Sequence, residues 1–141
     1  MIKIQKENFD IEYEIETIRK NIPQVGSVST FIGYVRNINN DKKVSSIILE
    51  VYEEMALKKL NDICKKAKIK WNISDTLIIH RYGKLNINEK IVLVATFSKH
   101  RKEGFEACTY IMDYLKKEAP FWKKEIYSND YEWLENSSLK N

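Results

Sequence analysis

The sequence contains few of the residues that build disulfides, metal centres and phosphate-binding loops. Its 141 residues include two cysteines, two histidines and four glycines. Cys64 and Cys108 lie far apart, each on an apolar helical face, so we expect two buried thiols in a reducing cytoplasm and no disulfide. Neither histidine has companions at ligand spacing, which argues against a metal site, and no glycine-rich nucleotide loop occurs. We expect no bound cofactor.

The sequence also lacks a long apolar run. Its longest uncharged segment, residues 21–35, is interrupted by Pro23, Gly26 and several polar residues, which excludes a membrane span. The N-terminus, MIKIQKENFD, is charged throughout and does not fit a signal peptide. The composition is 43% hydrophobic and 31% charged, which is typical of a soluble protein. We therefore expect a single cytoplasmic domain over residues 1–141.

Arginine is scarce in a chain that is otherwise basic. Only four of the 24 basic residues are arginine, and the net charge is +4. A guanidinium binds phosphate or carboxylate through two parallel hydrogen bonds, so an arginine kept in a lysine-rich background is a candidate for such a site. Arg19 occupies a helix position that we expect to be solvated. Arg36, Arg81 and Arg101 remain as candidates.

Hydrophobic periodicity predicts an α+β domain, with helices packed on a mixed or antiparallel sheet. The predicted strands are residues 1–4, 25–36, 44–54, 75–83 and 90–98. The predicted helices are residues 11–22, 55–67 and 102–117, with Met55 and Phe105 among the residues that face the core. Residues 37–43 are predicted as a polar loop and residues 84–89 as a turn. A short extended tail follows Pro120.

Two histidine–arginine pairs occur, in different contexts. His100 and Arg101, within SKHRKEG, fall where a strand ends and a helix begins, and the free N–H groups of a helix N-terminus favour anions. A capping turn with exposed charges explains the same pattern, so both interpretations stay open. His80 and Arg81 fall in the middle of a predicted strand, which favours a structural or interface histidine.

Arg36 and Lys116 are further candidates at the ends of predicted elements. Arg36 ends the strand YVRN, where an arginine is usually solvated unless it converges with Arg101. Lys116 lies in the last helical turn, where lysine commonly complements the helix dipole. If Lys116 faces a pocket with Arg101 and Lys123, the clustered charge would lower its pKa and allow it to act as a nucleophile or base.

The segment EAPFWKKE, residues 118–125, places two aromatic residues directly before a cluster of charge. In an extended chain Lys123 and Glu125 share one face and Lys124 lies on the other. Aromatic and charged groups in this order would suit a flat heterocycle that carries a phosphate. The alternative is that Phe121 and Trp122 pack under the sheet while the lysines are solvated.

Read together, these segments resemble the family of large, catalytic subunits of molybdopterin synthase. The stretches that carry the resemblance are VGSVSTFIGYVRN, LEVYEEMA, IIHRYGKL, SKHRKEGFEAC and YIMDYLKKEAPFWKKE. They span residues 25–133 in the order and spacing of the family. The resemblance implies an α+β fold of the hammerhead type.

The resemblance also implies an activity and an assembly. A family member is a sulfurtransferase that converts a cyclic pyranopterin monophosphate into molybdopterin by inserting two dithiolene sulfurs. The sulfur arrives as a thiocarboxylate on the C-terminal Gly-Gly of a small ubiquitin-like subunit. Two large subunits form a homodimer within a heterotetramer.

Site residues follow from the matching motifs. Lys116 matches the family's catalytic lysine, Lys123 matches a second important lysine, and Phe31 would form part of the wall. The residues implied to hold the pterin and its phosphate are Tyr34, Val35, Arg36, His100, Arg101, Lys123, Lys124 and Glu125. Two departures stand out: no arginine follows Trp133, and Lys99 stands where a small residue is usual.

Two other functions compete with the enzyme. A small basic nucleic-acid-binding domain would need basic and aromatic residues interleaved across one face. A non-catalytic subunit could keep pterin-phosphate binding and lack sulfur transfer. The sequence does not determine the order of the two sulfur insertions, the protonation state of Lys116 or the residues that contact the partner.

Overall fold

The structure is a computed structural model that describes residues 1–127 and the backbone of residues 131–134. Within this part of the chain the elements are β1 (Ile2–Gln5), α1 (Ile11–Arg19), β2 (Ser27–Tyr34), β3 (Ile38–Asn39), β4 (Lys42–Lys43), β5 (Ser46–Val51), α2 (Glu53–Trp71), β6 (Asp75–Arg81), β7 (Gly83–Asn86), β8 (Lys90–Ser98), α3 (Arg101–Glu118), β9 (Phe121–Ile126) and β10 (Tyr131–Leu134). The predicted α+β class is confirmed. No helix in the described range is long and apolar enough to cross a membrane.

A four-stranded mixed sheet, in the order β1-β6-β8-β2, forms the centre of the molecule. β1 pairs with β6 in parallel, and the other pairs are antiparallel. Helices α2 and α3 cover one face, and α1 covers the other. Because β6 and β8 are buried on both faces, their sequences are nearly continuous apolar runs instead of alternating ones.

A second four-stranded sheet, in the order β10-β9-β5-β7, is antiparallel throughout. Its inner face carries Ile47, Leu49 and Leu85, which pack with Val35 and Val44 into a small core of their own. Strands β3 and β4 form a separate short hairpin. The two larger sheets meet beside the C-terminal end of α3.

The helix ends follow signals in the sequence. Asp10 caps α1, where its side chain accepts a hydrogen bond of 2.9 Å from the Tyr13 N–H. Asn72 ends α2 in the left-handed conformation, with φ of 51°. Ala119 is extended after α3 because Pro120 disfavours a helical residue before it. The predicted stop at Pro120 is therefore confirmed, and it directs the chain into β9.

Two residues predicted to face the core are exposed. Met55 is 42% exposed and Phe105 is 60% exposed. The buried stripe of α3 runs through Gly104, Ala107 and Cys108 at helical spacing, and Phe105 lies one residue off that stripe. Met55 has the same relation to Ala56 of α2. Both cysteines are buried thiols, as predicted.

Two segments predicted to lack strands contain them. Within residues 84–89, β7 pairs with β5 and Leu85 is fully buried, although the alternation of Leu85 and Ile87 with polar residues is too short a pattern to predict a strand. Within residues 37–43, β3 and β4 form a hairpin. Its two central residues, Asn40 and Asp41, have φ of 51° and 64°, as a tight hairpin turn requires.

Candidate functional site

A pocket opens where the two sheets meet the C-terminal end of α3. It encloses about 740 Å³ of space between atoms, part of which is open solvent at its mouth. Seven of the ten predicted site residues line it: Phe31, Tyr34, Val35, Arg36, Lys116, Lys123 and Glu125. The rest of its wall is mainly apolar, and consists of Gly33, Ile47, Leu49, His80, Ile91, Val92, Met112, Leu115 and Phe121.

Three cationic side chains reach this pocket from three different elements. Arg36 follows the end of β2, Lys116 lies in the last turn of α3, and Lys123 lies in β9. The Lys116 Nζ is 5.4 Å from the centre of the Phe31 ring, so a cation–π contact helps to hold the ammonium at the wall. The convergence creates a positive site for an anionic group that no single element could provide.

Lys123 is largely withdrawn from solvent at the pocket wall. Burial lowers the pKa of Lys123, and the nearby Arg36 lowers it further, while the Glu125 carboxylate opposes both effects. A lowered pKa increases the share of neutral amine at neutral pH, and a neutral amine can accept a proton. Lys123 is therefore suited to proton transfer as well as to electrostatic binding.

Glu125 anchors the charged end of the pocket. Its side chain is 3% exposed, and its Oε1 accepts hydrogen bonds of 2.8 Å from the Asn39 amide and from the Tyr127 hydroxyl. Arg36 in turn donates to the Asn39 side chain at 3.5 Å. The β3–β4 hairpin is thus tied to the pocket through Asn39, a residue that sequence reasoning missed because it lies in an ordinary polar loop.

Hydrogen bonds to the turn at residues 88–89 fix the end of β2, which Arg36 follows. The Val35 N–H donates to the Glu89 carbonyl, and the Asn88 N–H donates to the Val35 carbonyl, both at 2.9 Å. The buried Arg81 donates to the Glu89 carboxylate from both of its terminal nitrogens, at 3.3 Å each. The Arg81 guanidinium therefore binds a carboxylate of its own chain, and it positions the turn that pairs with Val35.

His80 is a pocket residue that the sequence pattern did not reveal. It is buried, as expected of a structural histidine, although β6 ends at Arg81 and the pair therefore lies at the end of the strand and not in its middle as predicted. His80 also lines the pocket. Its ring stacks on Phe121 with 3.8 Å between ring centres and 19° between planes. The available signal was strand alternation, because His80 faces the same side of β6 as Ile78, toward α2 and α3.

Two predicted residues lie far from this pocket in the single chain. His100 precedes α3 and Arg101 is its first residue, and both side chains are exposed. Lys116 lies fifteen residues further along the same helix, which corresponds to about 22 Å. Lys99 is exposed at that distant end too, so it does not form the rim of this pocket.

The remaining prediction concerns the opposite face of β9. Lys123 and Glu125 face the pocket, as the alternation predicts, and Lys124 does not line it. Trp122 shares the outer face with Lys124 and is 47% exposed, whereas Phe121 is buried. The aromatic wall therefore consists of Phe31 and Phe121, without Trp122.

The departure after Trp133 concerns residues 135–141, which lie outside the described residues.

Comparison with known proteins identifies relatives over nearly the whole chain. The model of the MoaE protein family matches residues 4–118. A molybdopterin synthase catalytic subunit from Ralstonia nicotianae is 48% identical over 134 residues, which cover 95% of this chain and 76% of the relative.

Solved structures agree with the sequence matches. A molybdopterin synthase structure from Staphylococcus aureus has a TM-score of 0.86 and 33% identity, covering 94% of this chain and 96% of its own. A Helicobacter pylori complex of subunits 1 and 2 of molybdopterin-converting factor has a TM-score of 0.80 over 95% of this chain and 90% of its own. At 20% identity, the latter shows similarity of fold alone.

Proposed function

This chain belongs to the MoaE family, and on that premise we propose that it converts a cyclic pyranopterin monophosphate into molybdopterin by inserting two dithiolene sulfurs. The observation that carries the proposal is the convergence of Arg36, Lys116 and Lys123 on one pocket with two aromatic walls. Cations that meet in a concave pocket suit a small phosphorylated molecule better than a nucleic-acid strand, which calls for charge spread along a face.

Arg36 is the proposed phosphate ligand. Among the three cations that line the pocket, it is the one whose planar guanidinium can bind two phosphate oxygens at once. Phe31 offers an aromatic face to the ring system, and Tyr34 and Val35 complete that side. The phosphate then lies at the charged end, near the pair formed by Asn39 and Glu125.

Lys116 and Lys123 are the proposed catalytic residues. As the thiocarboxylate sulfur attacks a substrate carbon, the bond from that carbon to a phosphate oxygen breaks, and the oxygen of the opened phosphate gains negative charge. Lys123, with its lowered pKa, is suited to take up and return a proton at this step. Lys116 lies at the same wall and supplies hydrogen-bond donors to the developing anion. Water then hydrolyses the thioester that joins substrate and partner, which leaves the sulfur on the substrate and a carboxylate on the partner.

The sulfur donor is proposed to be a small ubiquitin-like subunit whose C-terminal Gly-Gly thiocarboxylate enters the open mouth of the pocket. The relative that is 48% identical is named a catalytic subunit, which supports a partner of this kind. We also propose a cytoplasmic heterotetramer built on a homodimer of this chain. His100 and Arg101 are about 22 Å from Lys116 in one copy, so they contact the same substrate only if a second copy supplies them.

The test is a reconstituted reaction with a matched control. The purified chain is incubated with the thiocarboxylated partner and cyclic pyranopterin monophosphate, and the product is converted to a fluorescent oxidised pterin. Lys116→Ala is expected to lower the rate at least about 100-fold, as loss of a catalytic lysine should. Lys117→Ala removes a neighbouring lysine that is exposed and does not line the pocket, and it is expected to retain activity.

Each other outcome leads to a different conclusion. Equal activity of wild type and a folded Lys116→Ala variant would keep the enzyme and remove Lys116 from the mechanism. A wild-type chain that binds the pterin and forms no product would contradict the enzymatic proposal and favour a non-catalytic binding subunit. Thermal melting of each variant separates loss of chemistry from loss of folding.

A further inference from the structure

The orientation of His80 is fixed from two sides. Its ring stacks on Phe121, and its Nδ1 lies 2.9 Å from the Arg81 carbonyl oxygen. A carbonyl oxygen can only accept a hydrogen bond, so Nδ1 carries the hydrogen. In the neutral ring the other nitrogen, Nε2, then has a free lone pair and acts as an acceptor.

The ring stays neutral under ordinary conditions. Burial lowers the pKa of His80 to about 4, although the hydrogen bond to the Arg81 carbonyl raises it slightly. At neutral pH the lone pair on Nε2 is therefore available. This separates His80 from Arg36, Lys116 and Lys123, which bring hydrogen-bond donors and positive charge to the same wall.

The neighbours that contact His80 in the pocket wall cannot donate a hydrogen bond to its ring through their side chains. His80 pairs with Val92 in the sheet and stacks on Phe121, and within the described part of the chain its Nε2 has no hydrogen-bond partner. Among the described residues, the one fully buried side-chain polar atom without a partner is Ser29 Oγ, so the His80 Nε2 still reaches the solvent in the pocket. A ligand that fills the pocket displaces that solvent, and leaving the acceptor without a donor then costs roughly 1–3 kcal/mol. A ligand that brings its own N–H to this point would offset that cost.

The pocket separates the acceptor on His80 from its charged end. Phe121, which carries the His80 stack, and Glu125 are four residues apart on β9, or about 13 Å. Arg36 and Glu125 mark the charged end, and His80 marks the aromatic end. A fused heterocycle with a phosphate at one end and ring N–H groups at the other matches this arrangement.

We propose that His80 is a further substrate-contacting residue, whose Nε2 accepts a hydrogen bond from the 2-amino group of the pterin ring. The proposal rests on the proposed function, because it takes the pterin as substrate. It makes His80 a determinant of specificity for the ring, while Arg36 binds the phosphate.

Two substitutions separate hydrogen bonding from stacking. His80→Phe keeps an aromatic ring against Phe121 and removes the acceptor, whereas His80→Gln offers a carbonyl oxygen as a substitute acceptor. We expect His80→Phe to raise the KM for the pyranopterin about tenfold, the effect of one lost hydrogen bond, and to leave the KM for the thiocarboxylated partner unchanged. His80→Gln should recover most of the loss. Thermal melting verifies that both variants are folded.

A binding experiment supplies a readout that does not depend on turnover. Pterin carries a 2-amino donor, and lumazine carries an oxygen acceptor in its place. Wild type should bind pterin more tightly, and His80→Phe should lose that preference. A folded His80→Phe with the wild-type KM and preference, or with a raised KM for the partner alone, would overturn the proposal. If wild type shows no turnover, the proposed function fails, and the pterin–lumazine preference alone then decides the His80 contact.

Discussion

The chain contains the dipeptide His–Arg twice, and the fold uses the two copies in opposite ways. His80 and Arg81 lie at the end of a central strand, where both side chains are buried. His100 and Arg101 lie at the start of α3, where both are exposed. Protein groups occupy the first pair: Phe121 stacks on His80, and Glu89 binds Arg81. The second pair projects into solvent.

The difference shows that position in the fold decides what a pair of this kind can bind. Arg81 uses its guanidinium on a carboxylate and two backbone carbonyls of its own chain, those of Lys6 and Lys90. Arg101 has the same chemistry, lies at a helix N-terminus and is exposed. An external anion is therefore a more natural ligand for Arg101 than for Arg81.

The largest effect is expected when the exposed pair is tested across two copies of the chain. Arg101→Ala and Lys116→Ala should each lower activity at least about 100-fold if both residues serve one substrate. When the two variants are coexpressed with different tags and assembled randomly, the mixed dimer keeps one intact site if Arg101 acts on the partner copy. Activity should return to about one quarter of wild type, measured with the fluorescent pterin assay.

A second mixture tests whether mixing two inactive variants restores activity without exchange of residues between the two copies. Lys116 and Lys123 line the same pocket of one chain, so Lys116→Ala mixed with Lys123→Ala leaves every site defective. That mixture should stay inactive. If the Arg101→Ala mixture stays inactive as well, Arg101 does not complete the site of a second copy, and its place in the proposed site is lost.

The two arginines should also differ in their contribution to stability. Arg81→Ala removes the guanidinium that binds the Glu89 carboxylate and two backbone carbonyls, while Glu89 keeps its hydrogen bond from the Asn86 N–H, and we expect the free energy of unfolding to fall by about 3 kcal/mol. Because Glu89 is partly exposed, the loss should lie at the lower end for a buried ion pair. Arg101→Ala should change stability by less than about 0.5 kcal/mol. Urea unfolding measures both.

Arg81→Lys separates the contribution of charge from that of the planar guanidinium in the urea unfolding experiment. It keeps the positive charge and loses the planar fork, so an intermediate stability is expected. If Arg81→Ala unfolds at the wild-type urea concentration, the network through Glu89 is not what holds the turn beside Val35. The observed contacts would then have little energetic weight.

The sequence predicts the parts of this structure that depend on local patterns. The stop at Pro120 and the shared face of Lys123 and Glu125 follow from proline geometry and strand alternation. The sequence marks Arg36 and Lys116 as candidates because each lies at the end of a predicted element, and in the structure both residues line the same pocket. Local rules suffice because each of these features depends on a few neighbouring residues.

Features that depend on contacts between distant segments were missed. The role of His80 depends on β9 packing against β6, more than forty residues further along the chain. Asn39 reaches the pocket only because its hairpin bonds to Glu125, 86 residues away in sequence. The strand at Leu85 exists because β5 provides a partner. Strand alternation places His80 on the face toward α2 and α3, but no periodic pattern indicates which distant segment packs there.

The smallest expected effect concerns the two histidines and pH. The pKa of His80 is about 4 in the folded chain and about 6.5 in an unfolded one, so between these values the unfolded state binds more protons. The stability that depends on neutral His80 is complete above pH 6.5 and is lost as the pH falls toward 4. This one group should lower the free energy of unfolding by about 2 kcal/mol between pH 7 and pH 5.

Two variants isolate that contribution from the carboxylates that titrate in the same range. His80→Phe keeps the stack on Phe121 and has no titrating group, so its unfolding free energy should fall less steeply with decreasing pH than that of wild type. His100→Gln changes an exposed ring and serves as the matched control. Denaturant unfolding at constant chain concentration, repeated from pH 7 to pH 5, gives the three slopes. Parallel curves for wild type and His80→Phe would mean that His80 becomes protonated without loss of folding, and that the fixed neutral acceptor inferred for the pocket is not maintained in acid.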